Sequence, residues 1–185
     1  MVPSSEAQAM RDVFRQIKED WVAHGKDWTK PGFRALAIHR YGNWRQSIGN
    51  RFVKAPFSIV YRFMFRFARN RYGIELPFQV VIGRRVVFEH QHGIVVHGSA
   101  VIGDDCVIRQ GVTIGNRNLG VSEAPRIGNR VNIGAGAKII GNVVIGDDCN
   151  IGANAVVLKD VPNGSTAVGI PAKIIGQTQT RGTER

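Results

Sequence analysis

The sequence predicts a mainly β chain, a solenoid of short coils preceded by a basic helical region. Three observations predict it. From about residue 80 the 185-residue sequence repeats with a period of six. All fifteen Phe, Trp and Tyr residues lie at or before Phe88. The net charge of +11 is unevenly spread: residues 1–85 hold 16 Lys+Arg and 6 Asp+Glu, the remainder 9 and 8. A period of six is neither helical spacing nor strand alternation. It is the length of one flat side of a β-solenoid, with three sides to a coil.

The helical region comes first. Residues 5–24 read as an amphipathic helix, with Met10, Val13, Phe14, Ile17 and Trp21 at helical spacing. Pro31 and Pro56 are the expected starts of two more helices. From Pro56 runs PFSIVYRFMFRFARNRYG, in which Arg62, Arg66 and Arg69 recur among Phe and Met until Gly73 ends the run. Such a helix can pack its apolar face on the base of the solenoid, or lie on an anionic membrane; the two roles are compatible. No motif for reading nucleic acid accompanies the charge, so no nucleic-acid partner is expected. No apolar run approaches the roughly 18 residues of a membrane span. The first residues, MVPSSEAQAMRDVF, lack a continuous apolar stretch and carry Glu6 and Asp12. The expected location is therefore cytoplasmic, with peripheral contact at the inner face of the membrane left open. Cys106 and Cys149 make no disulfide framework and read as small, reduced core residues.

The repeats follow. IGRRVV (82–87), FEHQHG (88–93), VHGSAV (96–101), IGDDCV (102–107) and IRQGVT (108–113) keep the period, with a slip of two at Ile94–Val95. It breaks at 116–126 and resumes through IGNRVN, IGAGAK, IIGNVV, IGDDCN and IGANAV (127–156). The leading aliphatic residue of each block is expected inside, and the Gly after it is expected to permit the corner angles. The fifth position is often small, as at Cys106, Ala137, Cys149 and Ala155. A narrow prism has no room for aromatics, and its ends need caps. The expected organisation is a helical region at 1–78, a solenoid at 79–177 and a polar tail at 178–185.

Three of the five histidines, His90, His92 and His97, fall within FEHQHGIVVHG (88–98). Histidine suits a general base because imidazole ionises near neutrality. A zinc site needs three or four ligands, and the only other histidines, His24 and His39, lie in the helical region, so no metal is expected. EHQHGIVV, GAGAKIIGNVVIG and VGIPAKI resemble the hexapeptide-repeat acyltransferases over about residues 75–176, and the serine acetyltransferases in particular. The resemblance implies a left-handed parallel β-helix, a homotrimer, and acetyl-CoA as acetyl donor lying between subunits. It implies His90 as the base that deprotonates a hydroxyl. Glu75, fifteen residues earlier, stands where the family has an aspartate partner. Glu89, His92, Arg109 and Arg117 become acceptor-binding candidates. Asn116, Ala135, Ala153 and Lys173 become candidates for holding the CoA thioester, its pantetheine arm and its phosphates.

The sequence also departs from that family. Where serine acetyltransferases carry an Arg-His pair for the amino acid's carboxylate, this chain has Glu123 and Ala124. Its N-terminal helical region, which pairs trimers in that family, is short. GIEL and EHQHGIVVHG are similar to the branch assigned to exopolysaccharide clusters, including colanic-acid-type acetyltransferases. The leading expectation is therefore acetylation of a sugar hydroxyl on a carrier in polysaccharide biosynthesis. Serine O-acetylation is the alternative, and a metal-binding or scaffold solenoid is the alternative of another class.

Overall fold

A computed structural model describes residues 5–118, 120 and 123–177; the expected tail at 178–185 lies outside them. Three helices lead: α1 (Ser5–Ala23), α2 (Pro31–Trp44) and α3 (Arg51–Phe67). Pro31 opens α2, where its missing N–H belongs to the unpaired first turn. Pro56 does not open α3, which begins five residues earlier. The Asn50 side chain caps that start, accepting from the N–H groups of Phe52 (2.9 Å) and Val53 (3.4 Å). Pro56 then sits on the exposed side of the second turn, where its ring costs the helix one backbone donor. After a turn of π type at Ala68–Tyr72, Gly73 closes the helix in the left-handed region at φ 64°.

Fifteen short strands follow among the described residues and stack in three sheets. Face 1 holds β1 (Ile74–Glu75), β4 (Ile94–Val96), β7 (Thr113–Gly115), β10 (Lys138–Ile140) and β13 (Val156–Val157). Face 2 holds β2 (Val81–Ile82), β5 (Val101–Ile102), β8 (Arg126–Ile127) and β11 (Val144–Ile145). Face 3 holds β3 (Val87–Glu89), β6 (Val107–Arg109), β9 (Asn132–Ile133), β12 (Asn150–Ile151), β14 (Ser165–Val168) and β15 (Lys173–Gln177). All pairings are parallel except β14 with β15, where the chain folds back and closes the last coil. Solenoid pairing thus begins at Ile74, directly after the helices.

The repeat acts through two separate residue columns. The leading aliphatics stack inside, with Ile82, Ile102, Ile127 and Ile145 under face 2 and Phe88, Ile108, Ile133 and Ile151 under face 3. The small fifth residues Cys106, Ala137, Cys149 and Ala155 are fully buried beside them. Burial pushes the Cys106 thiol up to about 11 and raises that of Cys149, so both are poor nucleophiles. The glycines of the IG steps work differently from expectation. They have ordinary backbone angles, but a Cβ on Gly103 would come within 2.5 Å of the Gly128 carbonyl oxygen, and one on Gly128 within 2.8 Å of the Asp147 nitrogen. Coil stacking therefore excludes a side chain there. The left-handed corner residues between faces 2 and 3 are instead Arg85, Asp105, Arg130 and Asp148. They pair across coils at 2.6 Å, Arg85 with Asp105 and Arg130 with Asp148.

The helices clasp the first coil. Gly32 sits so close that a Cβ there would be 2.0 Å from the Phe88 carbonyl oxygen. The buried Arg40 guanidinium pairs with buried Asp20 at 2.9 Å and donates to the carbonyls of Ile82 (2.8 Å) and Gly83 (2.5 Å). His39 Nε2–H donates to the Val80 carbonyl at 2.9 Å. His24 donates through Nδ1 to the Asp20 carbonyl (2.7 Å) and accepts from Phe88 N–H (3.3 Å). These bonds fix which way the first coil faces the helices.

Candidate functional site

The edge between faces 3 and 1 is irregular at one level only. Six residues separate the ladder positions Val107 and Thr113, Asn132 and Lys138, and Asn150 and Val156; eight separate Val87 and Val95. The two extra residues lie at the His90–His92 corner, not at Ile94–Val95. The ladder is already back in register at Val95. His90 and His92 both adopt left-handed angles, φ 64° and 75°, which non-glycine residues enter at a cost. His92 is pinned through its backbone: its N–H donates to Tyr72 (2.8 Å) and its carbonyl accepts from Gly111 (2.9 Å). A Cβ on Gly73 would come within 2.9 Å of the His92 Cα, so the turn below must be glycine. The lengthened corner leaves the His90 ring exposed, lining a 400 Å³ cleft with His24, Lys30 and Gln91.

Above His92 the edge stays narrow. Gly136 N–H donates to Gln110 and Asn154 N–H to Ala135, which puts His92, Gln110, Ala135 and Ala153 in one column. At about 4.8 Å per coil, Ala153 is roughly 14 Å from His92 along the edge. Gly93, Gly111 and Gly136 form the neighbouring column. Lys173 pairs with Val168 one strand further on, exposed beside the same edge. Past Gln110 the edge therefore offers a strip of half-buried to exposed backbone and methyl groups, bordered by Asn154, that ends near a lysine. A slender thiol arm fits such a strip.

The other candidates divide. Glu89 and Arg109 lie next to this corner on face 3 and pair with each other at 3.1 Å; Arg109 also donates to Asn132 at 2.6 Å. Glu75 stands on face 1 in register with Val95, one coil below it, exposed. Among the described residues no ion pair or side-chain hydrogen bond joins Glu75 to His90. Lys138, in the same outward column as Glu75, donates to the Gly111 carbonyl. The six-residue pattern puts Lys138 in phase with Thr113 but marks no block's sixth residue as functional.

Asn116, Arg117 and His97 lie on a different edge, between faces 1 and 2. One side of the prism, about six residues at 3.3 Å, separates them from His90 by roughly 20 Å. His97 Nδ1 accepts from the Ser99 N–H at 3.2 Å and closes a turn. The three histidines thus do not converge, and no group of three His, Cys, Asp or Glu side chains suited to a metal occurs among the described residues. The Asn116 side chain donates to the Asn118 carbonyl at 2.8 Å, bracing its own loop. Arg117 lines a 300 Å³ pocket with Glu123, Asn118, Gly141, Asn142 and Leu158. Ala124 is only 6% exposed and belongs to the core. That position is therefore packing in this chain, and Glu123 has a cation across its pocket.

Residues 124–159 match the family model described as bacterial transferase hexapeptide (six repeats). The chain is 41% identical over 150 residues to a serine acetyltransferase of Mycobacterium tuberculosis, covering 80% of this chain but 62% of that protein, so it spans about three fifths of that relative's length. It is 40% identical over 166 residues to a serine acetyltransferase of Helicobacter pylori, covering 87% of this chain and 92% of that one. The structure of a serine acetyltransferase from Brucella abortus in complex with coenzyme A superposes with a TM-score of 0.78, at 28% identity over 95% of this chain and 72% of that one. These matches overturn the expectation of a carrier-linked sugar acceptor, since each of these proteins is a serine acetyltransferase. The weight given to residues 123–124 was the physical fault: Ala124 is packed in the core, and Glu123 shares its pocket with Arg117, so the pair does not by itself exclude a carboxylate. The chain belongs to the serine acetyltransferase family.

Proposed function

We propose that this chain moves the acetyl group of acetyl-CoA to the hydroxyl of L-serine, at a site shared between copies of a homotrimer. The observation that carries the acceptor is the match over 92% of the Helicobacter pylori serine acetyltransferase. His90, held out from the edge by the two extra corner residues, accepts the hydroxyl proton as the serine oxygen bonds to the thioester carbonyl carbon. As the carbon–sulfur bond breaks, His90 returns that proton to the sulfur. Glu75, on the adjoining face, supplies a negative charge toward the imidazolium. Ala135 and Ala153 let the thiol arm lie against backbone, and Lys173 is a point charge for phosphate at its far end.

The amino acid's carboxylate needs a cation. Arg109 is engaged by Glu89 and Asn132, and Arg126 stands on face 2 in the column between Val101 and Val144. Of these three arginines Arg117 lines a pocket, and we assign it the carboxylate. It stands an edge away from His90, so a neighbouring copy must bring it. That requirement favours a closed ring of three over a monomer. The test is thiol release from acetyl-CoA with L-serine. Saturable turnover at millimolar serine supports the reading; no turnover by a folded trimer overturns it.

A further inference from the structure

We propose that α3 is a bilayer-docking element that seats the protein on an anionic lipid surface. At 100° per residue, Phe52, Ile59, Val60, Phe63 and Phe67 fall within an arc of about 100°. All five are exposed, Phe52 by 75% and Phe63 by 67%. This is not the face that packs inward, since buried Tyr61 points the opposite way, its hydroxyl accepting from Phe78 N–H at 3.1 Å. Arg51, Arg62 and Arg66 form an exposed row along one flank of the apolar arc, Arg69 continues it in the next turn, and exposed Arg71 lies toward the other flank. A buried face, an exposed aromatic face and a row of arginines make three sides of one helix. The buried side packs on the chain, whereas the aromatic face stays largely exposed, with Phe67 alone of its five residues against another ring, edge-on to Tyr72 at 5.4 Å, among the described residues.

Two further observations favour lipid over protein. Beside the exposed arc is an apolar cavity of 550 Å³ lined by Trp28, Phe33, Ile38, Phe63, Met64 and Phe67. Trp28, 65% exposed at its mouth, has the amphipathic ring that suits a lipid–water boundary. Between Trp28 and Ile74 the sequence holds ten Lys and Arg residues and no Asp or Glu. A second copy docking the same face would set arginine against arginine with no acid to pair. A bilayer containing anionic headgroups offers apolar depth for the phenylalanines and negative charge for the flank. Among the described residues no helix is long and apolar enough to cross a membrane, so the proposed docking is at the surface.

The test is co-sedimentation of the full chain with vesicles of phosphatidylcholine alone or with a quarter phosphatidylglycerol, reading bound fraction and Trp emission. The expected result is at least tenfold stronger partition onto the anionic vesicles, a blue shift, and release at high salt. Phe63→Ser with Phe67→Ser should abolish binding, and Arg62→Gln with Arg66→Gln should remove the preference for anionic lipid. Both variants should keep the thermal midpoint and the serine-dependent thiol release of the parent, so this test stands apart from the acceptor. Equal partition of the parent onto both vesicles, no partition, or binding unaffected by either variant would overturn the proposal. So would a doubling of oligomer mass that the Phe63→Ser, Phe67→Ser variant reverses, since the face would then be a contact between copies.

Discussion

His90 owes its exposure to backbone length. The same corner one coil higher is two residues shorter and carries Gln110 and Gly111. A base that takes the hydroxyl proton contributes about a hundredfold or more. His90→Ala should therefore lower serine-dependent turnover at least about a hundredfold while coenzyme A binding, read by calorimetry, stays near the parent value. Glu75→Gln should cost less, because a carboxylate that only stabilises charge leaves the base in place; a silent Glu75→Gln would transfer that role to Glu89. Arg117→Ala removes a charge-assisted hydrogen bond of about 1.5–3 kcal/mol, so kcat/KM for serine should fall roughly ten- to a hundredfold, with the affinity for coenzyme A unchanged. The sequence singled out His90 through a contiguous motif but set the two-residue slip at Ile94–Val95 rather than at the His90–His92 corner, because the aliphatic run hides where the ladder regains register; Ala135 and Ala153 came from the family resemblance, and the structure puts them in one column. The carboxylate site was not legible. It depends on which way residues 123 and 124 point after an irregular loop, and periodicity gives no register there.

At the scale of elements, the repeat made the strands and interior columns readable, because every coil imposes the same packing demand. Asn50 overrode the proline signal at α3, since a capping side chain decides a helix start that a proline only tolerates. The clasp between α2 and the first coil was hidden in sequence, because His39, Arg40 and Asp20 look like surface polar residues until the fold buries them. That clasp has a pH signature. Burial lowers the His39 imidazole to about 4 from an unfolded value near 6.5. Between those values the unfolded chain holds the extra proton, so its contribution to stability is complete above about pH 6.5 and is lost as the pH falls toward 4. The full difference is about 3 kcal/mol. Thermal unfolding followed from pH 7 to pH 4 should show this decline, and His39→Gln should flatten it while lowering stability at pH 7. An unchanged pH slope in His39→Gln would mean that other groups carry the decline.

At the scale of the whole molecule, the two candidate clusters sit on different edges of one prism. His90, Ala135 and Ala153 share one edge, while Asn116 and Arg117 occupy the next. No bend of a stacked solenoid brings its own edges together, because each coil is tied to its neighbours by parallel ladders on every face. The ring of copies proposed above would do so without deformation, with one copy's Arg117 edge against the next copy's His90 edge. Particle mass by light scattering should then be three times the 20.4 kDa of the chain. The sharper consequence is complementation. His90→Ala and Arg117→Ala, each weak alone, damage opposite halves of a shared site. In trimers assembled at random from equal amounts, a site is intact when a copy with His90 is followed by a copy with Arg117, so about a quarter of parental turnover should return. If both side chains served a site within one copy, mixing would give no more than the average of the two weak activities. Turnover of the mixture at that average would overturn a site shared between copies, and with it an Arg117 brought by the neighbour.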